Sequence, residues 1–279
     1  MRRVRQFAKR VLPAFFLRRY QAWDGIRYAG RRLLKGGEPE ARLLPVLCRS
    51  HKTSLDIGGN EGAYAVLMRR WSRRCVVFEP NIVLANRLRD GFLFDRRIAV
   101  RGEALSDHAG SAVLRIPMHE GEVVTGLASI DGDNRLGGLP FQSIEVARRR
   151  LDDLELRDIG FIKLDVEGHE FAVLSGGLAL LRREQPTILV ELSEHHRPNA
   201  VGSVADLLAP FGYLGLFLCD GRLHDLEDFD AAQHQQTEYL DALSRQHGGT
   251  YVGNFMFSVE RDKLRLAIEP LLRGVQGSA

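Results

Sequence analysis

Apolar positions along the chain switch repeatedly between two periods. Thr53–Ile57, Cys75–Phe78 and Ile98–Arg101 are short apolar runs of strand length, whereas Ala63–Trp71 and Asn81–Leu93 repeat apolar residues at helical spacing. Ala112–Ile116 alternates and reads as a strand that pairs at an edge; Ser143–Val146 reads as a further strand, and Asp152–Leu156 as a short helix. In "FIKLDVEGHEFAVLSGG", the run Phe161–Val166 is a strand broken by Gly168. From Glu170 onward Phe171, Val173, Leu174, Leu178 and Leu181 take helical spacing, until Pro186 stops it. Thr187–Leu192, Leu214–Cys219 and Asn254–Val259 complete the strands, and Val204–Pro210 is helical. Strand and helix in alternation predict an α/β fold with a mostly parallel, doubly wound sheet and antiparallel strands near the C-terminus. Pro117–Leu139 and Asp220–Gly249 show no clear period; the first reads as a long functional loop, the second as an insertion over the active-site edge.

Charge divides the chain. Residues 1–35 carry eleven Lys/Arg against one Asp, leaving 28 basic and 35 acidic residues in the remainder. We therefore expect a basic N-terminal helical extension over residues 1–50 and a main domain over 51–279. In the extension, Val4, Phe7, Ala8, Val11, Leu12, Phe15 and Phe16 form an apolar stripe from which Arg2, Arg3, Arg5, Lys9 and Arg10 are excluded. Such a segment can lie on an anionic membrane through residues 1–19 or bind an acidic partner; alternatively it docks on its own domain with arginines in solvent. Pro13 starts or kinks a helix there. An acidic body and the lack of interleaved stacking aromatics argue against nucleic acid. Cys48, Cys75 and Cys219 are odd in number and far apart, which points to a reducing, cytoplasmic-type compartment, with peripheral contact at the inner face of the membrane as its extension. No apolar run approaches the ~20 residues of a membrane span, and no signal peptide is expected.

The chemistry gathers at strand ends. "SLDIGGNEGAY" places Asp56 at the end of the first strand and Gly58, Gly59 and Gly62 before a helix, where free N–H groups and a close backbone approach suit a nucleotide-like ligand. The G-x-G-x-x-G spacing of a dinucleotide site and the G-K-[ST] of a phosphate loop are both lacking. Glu79 ends the second strand, where a carboxylate can accept from both ribose hydroxyls. Glu103, after the third strand, or a backbone N–H beside it can meet an adenine edge. Asp56 and Glu79 together favour a free ribose and a positive centre, which S-adenosylmethionine supplies without phosphate.

"LDIGGNEGAYAVL", "VVFEPN", "ALSD", "RLDDLEL", "FIKLDVEGHEFAVLSGG", "PTILVELSE" and "GNFMF" resemble, in order and spacing, the FkbM-type S-adenosylmethionine-dependent methyltransferases. The resemblance runs from about Ser54 to Phe257. It implies the class I methyltransferase (Rossmann-like) fold and O-methylation of a sugar hydroxyl in a glycan, glycolipid or natural product. It also implies cofactor roles for Asp56, Gly58, Asn60 and Gly62, for Glu79 as the ribose acid, for Glu103 and Ala104 on the adenine side, and for Asp165 at the methyl end. Gly59 stands where alanine is common, a change read as added backbone freedom.

A sugar hydroxyl is barely ionised at neutral pH, so a general base is expected. Asp165, His169, Glu191, Glu194, His195 and His196 are the candidates. Asp165 and Glu191 follow apolar strands at the same sheet edge, with Asp165 orienting cofactor or hydroxyl and Glu191 acting as base or substrate ligand; His169 is a third candidate, equally readable as a noncatalytic histidine. Glu167 and Glu170 suit a helix start. His195 and His196 could bind substrate, but adjacent side chains seldom share an ion and no metal site is expected. Asn254 and Phe255 are read as closing the substrate side. The competing readings are a noncatalytic membrane-docked or partner-binding module on the same fold and, disfavoured by the glycine spacing, a nicotinamide-dependent oxidoreductase.

Overall fold

The computed structural model describes residues 13–36, 38–119, 122–131, 139–236 and 251–276. The chain opens with helix α1 (Ala14–Gly36) and the short α2 (Leu44–Leu47), then runs β1 (Thr53–Ile57), α3 (Ala63–Met68), β2 (Arg74–Phe78), α4 (Ile82–Phe92) and β3 (Ile98–Arg101). Four strands form a side sheet: β4 (Ala104–Leu105), β5 (Gly110–His119), β6 (Glu122–Val123) and β7 (Phe141–Arg149). There follow β8 (Ile159–Leu164), α5 (Glu170–Ser175), α6 (Leu178–Glu184), β9 (Thr187–Glu191), α7 (Ala200–Leu208), β10 (Leu214–Cys219), β11 (Arg222–Asp225), α8 (Ala231–His234), β12 (Asn254–Ser258) and α9 (Arg261–Gln276).

The main sheet has eight strands in the order β11-β10-β12-β9-β8-β1-β2-β3. β9, β8, β1, β2 and β3 are parallel, and β12 inserts antiparallel between β9 and β10. This is the class I methyltransferase arrangement, with antiparallel strands at the C-terminal side as the pattern predicts. Both faces are buried, which is why the strands read as continuous apolar runs rather than alternating ones. One face carries Leu55, Ile57, Ile162, Leu164, Val190 and Phe255 against the helices after β8 and β9. The other carries Val77, Phe161, Leu189 and Met256 against Ile26, Leu44 and Leu88.

Ile26 of α1 is fully buried in that second layer, so residues after Pro13 dock on the sheet. Pro13 starts the helix, its carbonyl accepting from Phe16 and Leu17 N–H. The packing face is Ala22, Ile26, Ala29 and Gly30, and Arg18 pairs with Asp90 of α4 at 2.6 Å. Phe15 and Phe16, assigned to the apolar stripe, are 56% and 48% exposed, while Val4 to Leu12 lie outside the described residues.

Several boundaries depart from expectation. The helix expected to reach Trp71 ends at Met68, and the turn expected as a helix at Asp152–Leu156 is a 3-10 turn, Leu151–Asp153. The single helix expected after Glu170 is two helices divided at Gly176 and Gly177. A Cβ at Gly176 would sit 2.0 Å from the Ser106 carbonyl oxygen, so side-sheet backbone presses into the break. Asp152 then caps α6, its carboxylate accepting from Ala179 and Leu180 N–H. Where described, the long loop contains β6, a 3-10 turn at Thr125–Leu127 and a bridge from Ser129 to Arg115; residues 120–121 and 132–138 lie outside the described residues. The second unpatterned segment forms the β10–β11 hairpin and α8, with residues 237–250 outside the described part.

Candidate functional site

Two cavities open at the carboxyl ends of the parallel strands, where a doubly wound sheet binds ligands. The first holds ≈ 610 Å³ of empty space including its open mouth. Its floor is the turn after β1. Gly58 and Gly59 N–H both donate to the Phe78 carbonyl, at 3.0 and 3.1 Å, drawing the turn across to β2. Gly58 has φ +85°, and a Cβ there would lie 1.7 Å from the Asp165 carbonyl oxygen. No side chain fits between this turn and the end of β8.

Glu79 anchors the far side of the turn. Its two carboxylate oxygens accept from Asn60 N–H at 2.7 Å and Asn81 N–H at 2.8 Å, and Asn81 in turn caps α4. Burial pushes the Glu79 pKa up to about 7, against the lowering effect of those two N–H donors. Each oxygen keeps a second lone pair for a hydroxyl donor. Glu103 and Ala104 line the same cavity, Glu103 paired with Arg101 at 2.5 Å. The opposite wall comes from the side sheet and the long loop through Leu114, Thr125, Gly126, Ala128 and Ile130. These residues carry no recognisable motif and were not among the site residues expected from sequence; the lack of period in Pro117–Leu139 was the available signal.

Gly62, expected at the cofactor, lines neither cavity. It has φ +79° and packs beneath α4 and α1, where a Cβ would approach Leu88 to 2.6 Å and Ile26 to 3.3 Å. Gly59, read as a mild gain of freedom, is a steric requirement: a Cβ would lie 2.2 Å from Val77 Cγ1.

The second cavity is larger, ≈ 2470 Å³ including its open mouth, and shares Gly58, Asn60 and Asp165 with the first. Lys163 is its centre. The ammonium is 1% exposed, 3.6 Å from Asp165 Oδ2, 3.9 Å from Glu191 Oε2 and 5.1 Å from the Tyr64 ring centroid. Burial alone would lower its pKa; the surrounding charges of Asp165, Glu38, Glu191 and Asp56 outweigh that and hold it above the ordinary lysine value. Glu191 is enclosed by protein yet 38% exposed to the cavity, and burial followed by the charge of Asp165 raises its pKa well above the usual range. Asp56 is fully buried and pushed up to about 7 by burial, with the Ala65 N–H donating to it. Lys163 is not among the site residues that the motifs point to, although a lysine inside the buried run "FIKLD" is itself a signal that a polar chamber interrupts the core.

The other candidates separate. His169 lines the first cavity, with Nε2 2.9 Å from Ser106 Oγ and Nδ1 3.9 Å from Asp131; burial lowers its pKa. It and Glu191 therefore do not form one acid–base pair. Glu170 is the first residue of α5, and its carboxylate accepts from Val166 and Gly168 N–H upstream of the helix, fixing the loop after β8. Glu167, at φ +52°, instead turns its carboxylate toward His196 at 3.4 Å. His195 Nε2 contacts the Gln235 carbonyl at 3.0 Å, and the Glu194 carboxylate accepts from Val201 N–H, so the neighbouring histidines have different partners. Among the described residues no cluster of three His, Cys, Asp or Glu could hold a metal.

The chain is similar to several solved methyltransferases. One is the methyltransferase FkbM from Methylobacillus flagellatus KT, at 15% identity and TM-score 0.45, covering 90% of this chain and 57% of that one. Another is an O-methyltransferase from Bacillus cereus in complex with SAH, at 14% identity and TM-score 0.44, covering 91% and 95%. A third is the precorrin-6y C5,15-methyltransferase from Geobacter metallireducens GS-15, at 13% identity and TM-score 0.39, covering 82% and 92%. This chain thus spans 57% of the length of the FkbM structure. No curated protein matches significantly. The model of the methyltransferase FkbM domain matches residues 56–214, from the aspartate one residue before the end of β1 to the first residue of β10, and so takes in the glycine turn, Glu79, Lys163, Asp165 and Glu191. By that match the chain belongs to the FkbM family of S-adenosylmethionine-dependent methyltransferases.

Proposed function

We propose that this enzyme methylates a hydroxyl oxygen, and that the hydroxyl belongs to a sugar of a glycan, glycolipid or natural product. The observation that carries the reading is the shared wall: Gly58, Asn60 and Asp165 line both cavities, so a donor in the first meets an acceptor in the second at Asp165.

The residues present fit the family's methyl donor. Glu79 has acceptor capacity left for a ribose diol, Phe78, Leu114, Ile130 and Val166 offer an apolar slot beside Glu103 and Ala104, and the absence of any Cβ at Gly58 leaves the turn open. S-adenosylmethionine supplies, when bound, a methyl group already activated by its sulfonium. What the chain adds is placement and proton handling. Holding two reactants in line can save roughly 7–11 kcal/mol of barrier. Asp165 orients the reacting groups, and Glu191, more basic than a carboxylate in water, takes the hydroxyl proton, a role worth roughly 10²–10⁴-fold in rate. His169, bonded to Ser106, serves the donor side.

Two measurements test this. Glu79→Gln removes one charge-assisted bond worth roughly 1.5–3 kcal/mol, so calorimetry should show S-adenosylmethionine binding weakened about 10- to 150-fold. Mass spectrometry of a glycan panel incubated with donor labelled in the methyl group should find the label on a sugar oxygen. A label recovered on nitrogen or carbon would overturn O-methylation, and one recovered on a carboxylate oxygen would overturn the hydroxyl acceptor.

A second reading is peripheral contact with an anionic membrane through α1. Its support is the exposure of Phe15, Phe16, Trp23 and Tyr28 beside arginines, with Arg19 3.3 Å over the Phe15 ring and Arg27 4.4 Å over that of Trp23. No helix among the described residues is long and apolar enough to cross a membrane. Co-sedimentation with phosphatidylserine vesicles should fall when residues 1–19 are removed; equal pelleting would remove the idea.

A further inference from the structure

The second cavity interrupts the core in an ordered way. On one face of the main sheet Phe161, Leu189 and Met256 pack as core, and one step toward the carboxyl ends of the parallel strands the same face turns polar. Asp56 pairs in register with Lys163, Lys163 with Leu189 two residues before Glu191, and Glu191 with Asn254. Since side chains alternate along a strand, these four share one face across β1, β8, β9 and β12. Glu38, Glu40 and Tyr64 lie over them, with Tyr64 Oη donating to Glu38 at 2.6 Å and Asn254 Nδ2 donating to the same carboxylate at 3.1 Å.

Four side-chain atoms in this chamber are buried without a hydrogen-bond partner: Glu40 Oε2, Asp56 Oδ2, Lys163 Nζ and Asn254 Oδ1. Their residues are 4%, 2%, 1% and 7% exposed. Buried polar atoms are nearly always paired, so four orphans on one chamber mark groups that a ligand or ordered solvent completes. The set mixes acceptors with a donor, and hydroxyl groups meet both. Its charge balance disfavours anions. Glu38, Glu40, Asp56, Asp165 and Glu191 face the chamber against Arg32 and Lys163; burial raises Glu40 and Asp56 to about 7 and Glu191 well above the usual range, so the acids outnumber the cations increasingly as pH rises. Arg32 is paired with Glu61 at 3.3 Å, and the Lys163 ammonium, which has no hydrogen bond, lies between Asp165 and Glu191, so a phosphate or carboxylate reaching it would compete with two carboxylates. Tyr251 adds an aromatic wall, its hydroxyl donating to Ser193 at 3.0 Å.

We infer that this chamber is the acceptor site, and that the part of the acceptor entering it is an uncharged polyhydroxyl group, with phosphate- and carboxylate-bearing sugars rejected. The inference rests on the methyl-transfer reading above, because Asp165 is the wall the chamber shares with the donor cavity.

The test uses the full chain saturated with S-adenosylhomocysteine and saturation-transfer NMR on the methyl glycosides of glucose, mannose, galactose, rhamnose and fucose. Methyl glucuronoside and mannose 6-phosphate are the charged counterparts. At least one neutral glycoside should bind, the charged sugars at least tenfold more weakly. Glu40→Gln and the less buried Tyr251→Ala should each weaken the neutral sugar at least fivefold while S-adenosylhomocysteine affinity stays within twofold. Equal binding of charged sugars, neutral binding indifferent to both variants, or no glycoside bound by a chain that binds S-adenosylhomocysteine would overturn the inference. Failure to bind S-adenosylhomocysteine would instead strike the methyl-transfer reading beneath it.

Discussion

Replacing Lys163 with methionine removes one buried charge and nearly preserves the volume it fills. At 3.6 Å from Asp165 and 3.9 Å from Glu191, an effective dielectric of about 20 gives each attraction roughly 4–5 kcal/mol before desolvation. The two carboxylates are 31% and 38% exposed, so cavity solvent screens part of this. Removing one partner of a buried ion pair costs about 3–5 kcal/mol, and we expect a loss of that order for Lys163→Met near pH 8. The sign of the pH dependence follows from the carboxylates left behind. Burial and the charge of Asp165 already hold the folded pKa of Glu191 above its unfolded one, and losing the ammonium removes the charge that lowers it, so ionising Glu191 opposes folding and protonation relieves the cost as pH falls. Lysine itself stays charged in both states through this range. Urea unfolding followed by the fluorescence of Trp23 and Trp71 should therefore show a large loss near pH 8 that shrinks toward pH 5, with an unchanged m-value. A loss below about 1 kcal/mol, equal at both pH values, would refute the view of Lys163 as the charge that holds the acidic chamber together.

Other outcomes follow from the same geometry. Gly59→Ala should cost about 1–3 kcal/mol by overpacking against buried Val77, and Val77→Ala in the same chain should recover part of it; strictly additive losses in denaturant melts would contradict the contact. Asp56→Asn should be more stable than the parent by roughly 1–4 kcal/mol at about pH 8, because burial raises the folded pKa to about 7 and ionisation then opposes folding; the gap should close toward pH 4 in thermal melts. Glu170→Ala leaves Val166 and Gly168 N–H without their acceptor, a loss of about 2–4 kcal/mol, and should also weaken S-adenosylmethionine binding by loosening the loop that carries Asp165; unchanged calorimetry would separate the loop from the site.

Much of the fold was legible because short-range chemistry dictates it. β1, β3 and β10 match the expected strands residue for residue, since a short apolar-rich run bounded by turn residues is a local signal. Helix ends were less legible because tertiary contacts set them. The break after Ser175 exists because Ser106 backbone presses against Gly176, a contact between residues about seventy positions apart in the chain. The placement of Asp56, Glu79 and Asp165 at strand ends could be read in sequence, since a glycine turn after a strand and an acid ending the next strand are local patterns. Gly62 shows the limit: its place in the motif suggests a ligand contact, while its surroundings, Leu88, Ile26 and Phe92, come from distant segments.

The sequence by itself determined the strand and helix alternation from β1 to β3 and from β8 to β10, the parallel sheet, the family and the acids near the strand ends, because each is written in local periodicity or in a contiguous motif. Only the tertiary structure decided which of those acids share a chamber. Pairing β1, β8, β9 and β12 side by side gathers Asp56, Lys163, Glu191 and Asn254 from positions up to 198 residues apart, and the segment before β1 covers them with Glu38 and Glu40. Cross-strand register and the folding back of an N-terminal segment are properties of the assembled sheet. They gave the molecule a second cavity and its charge, and separated His169 from Glu191.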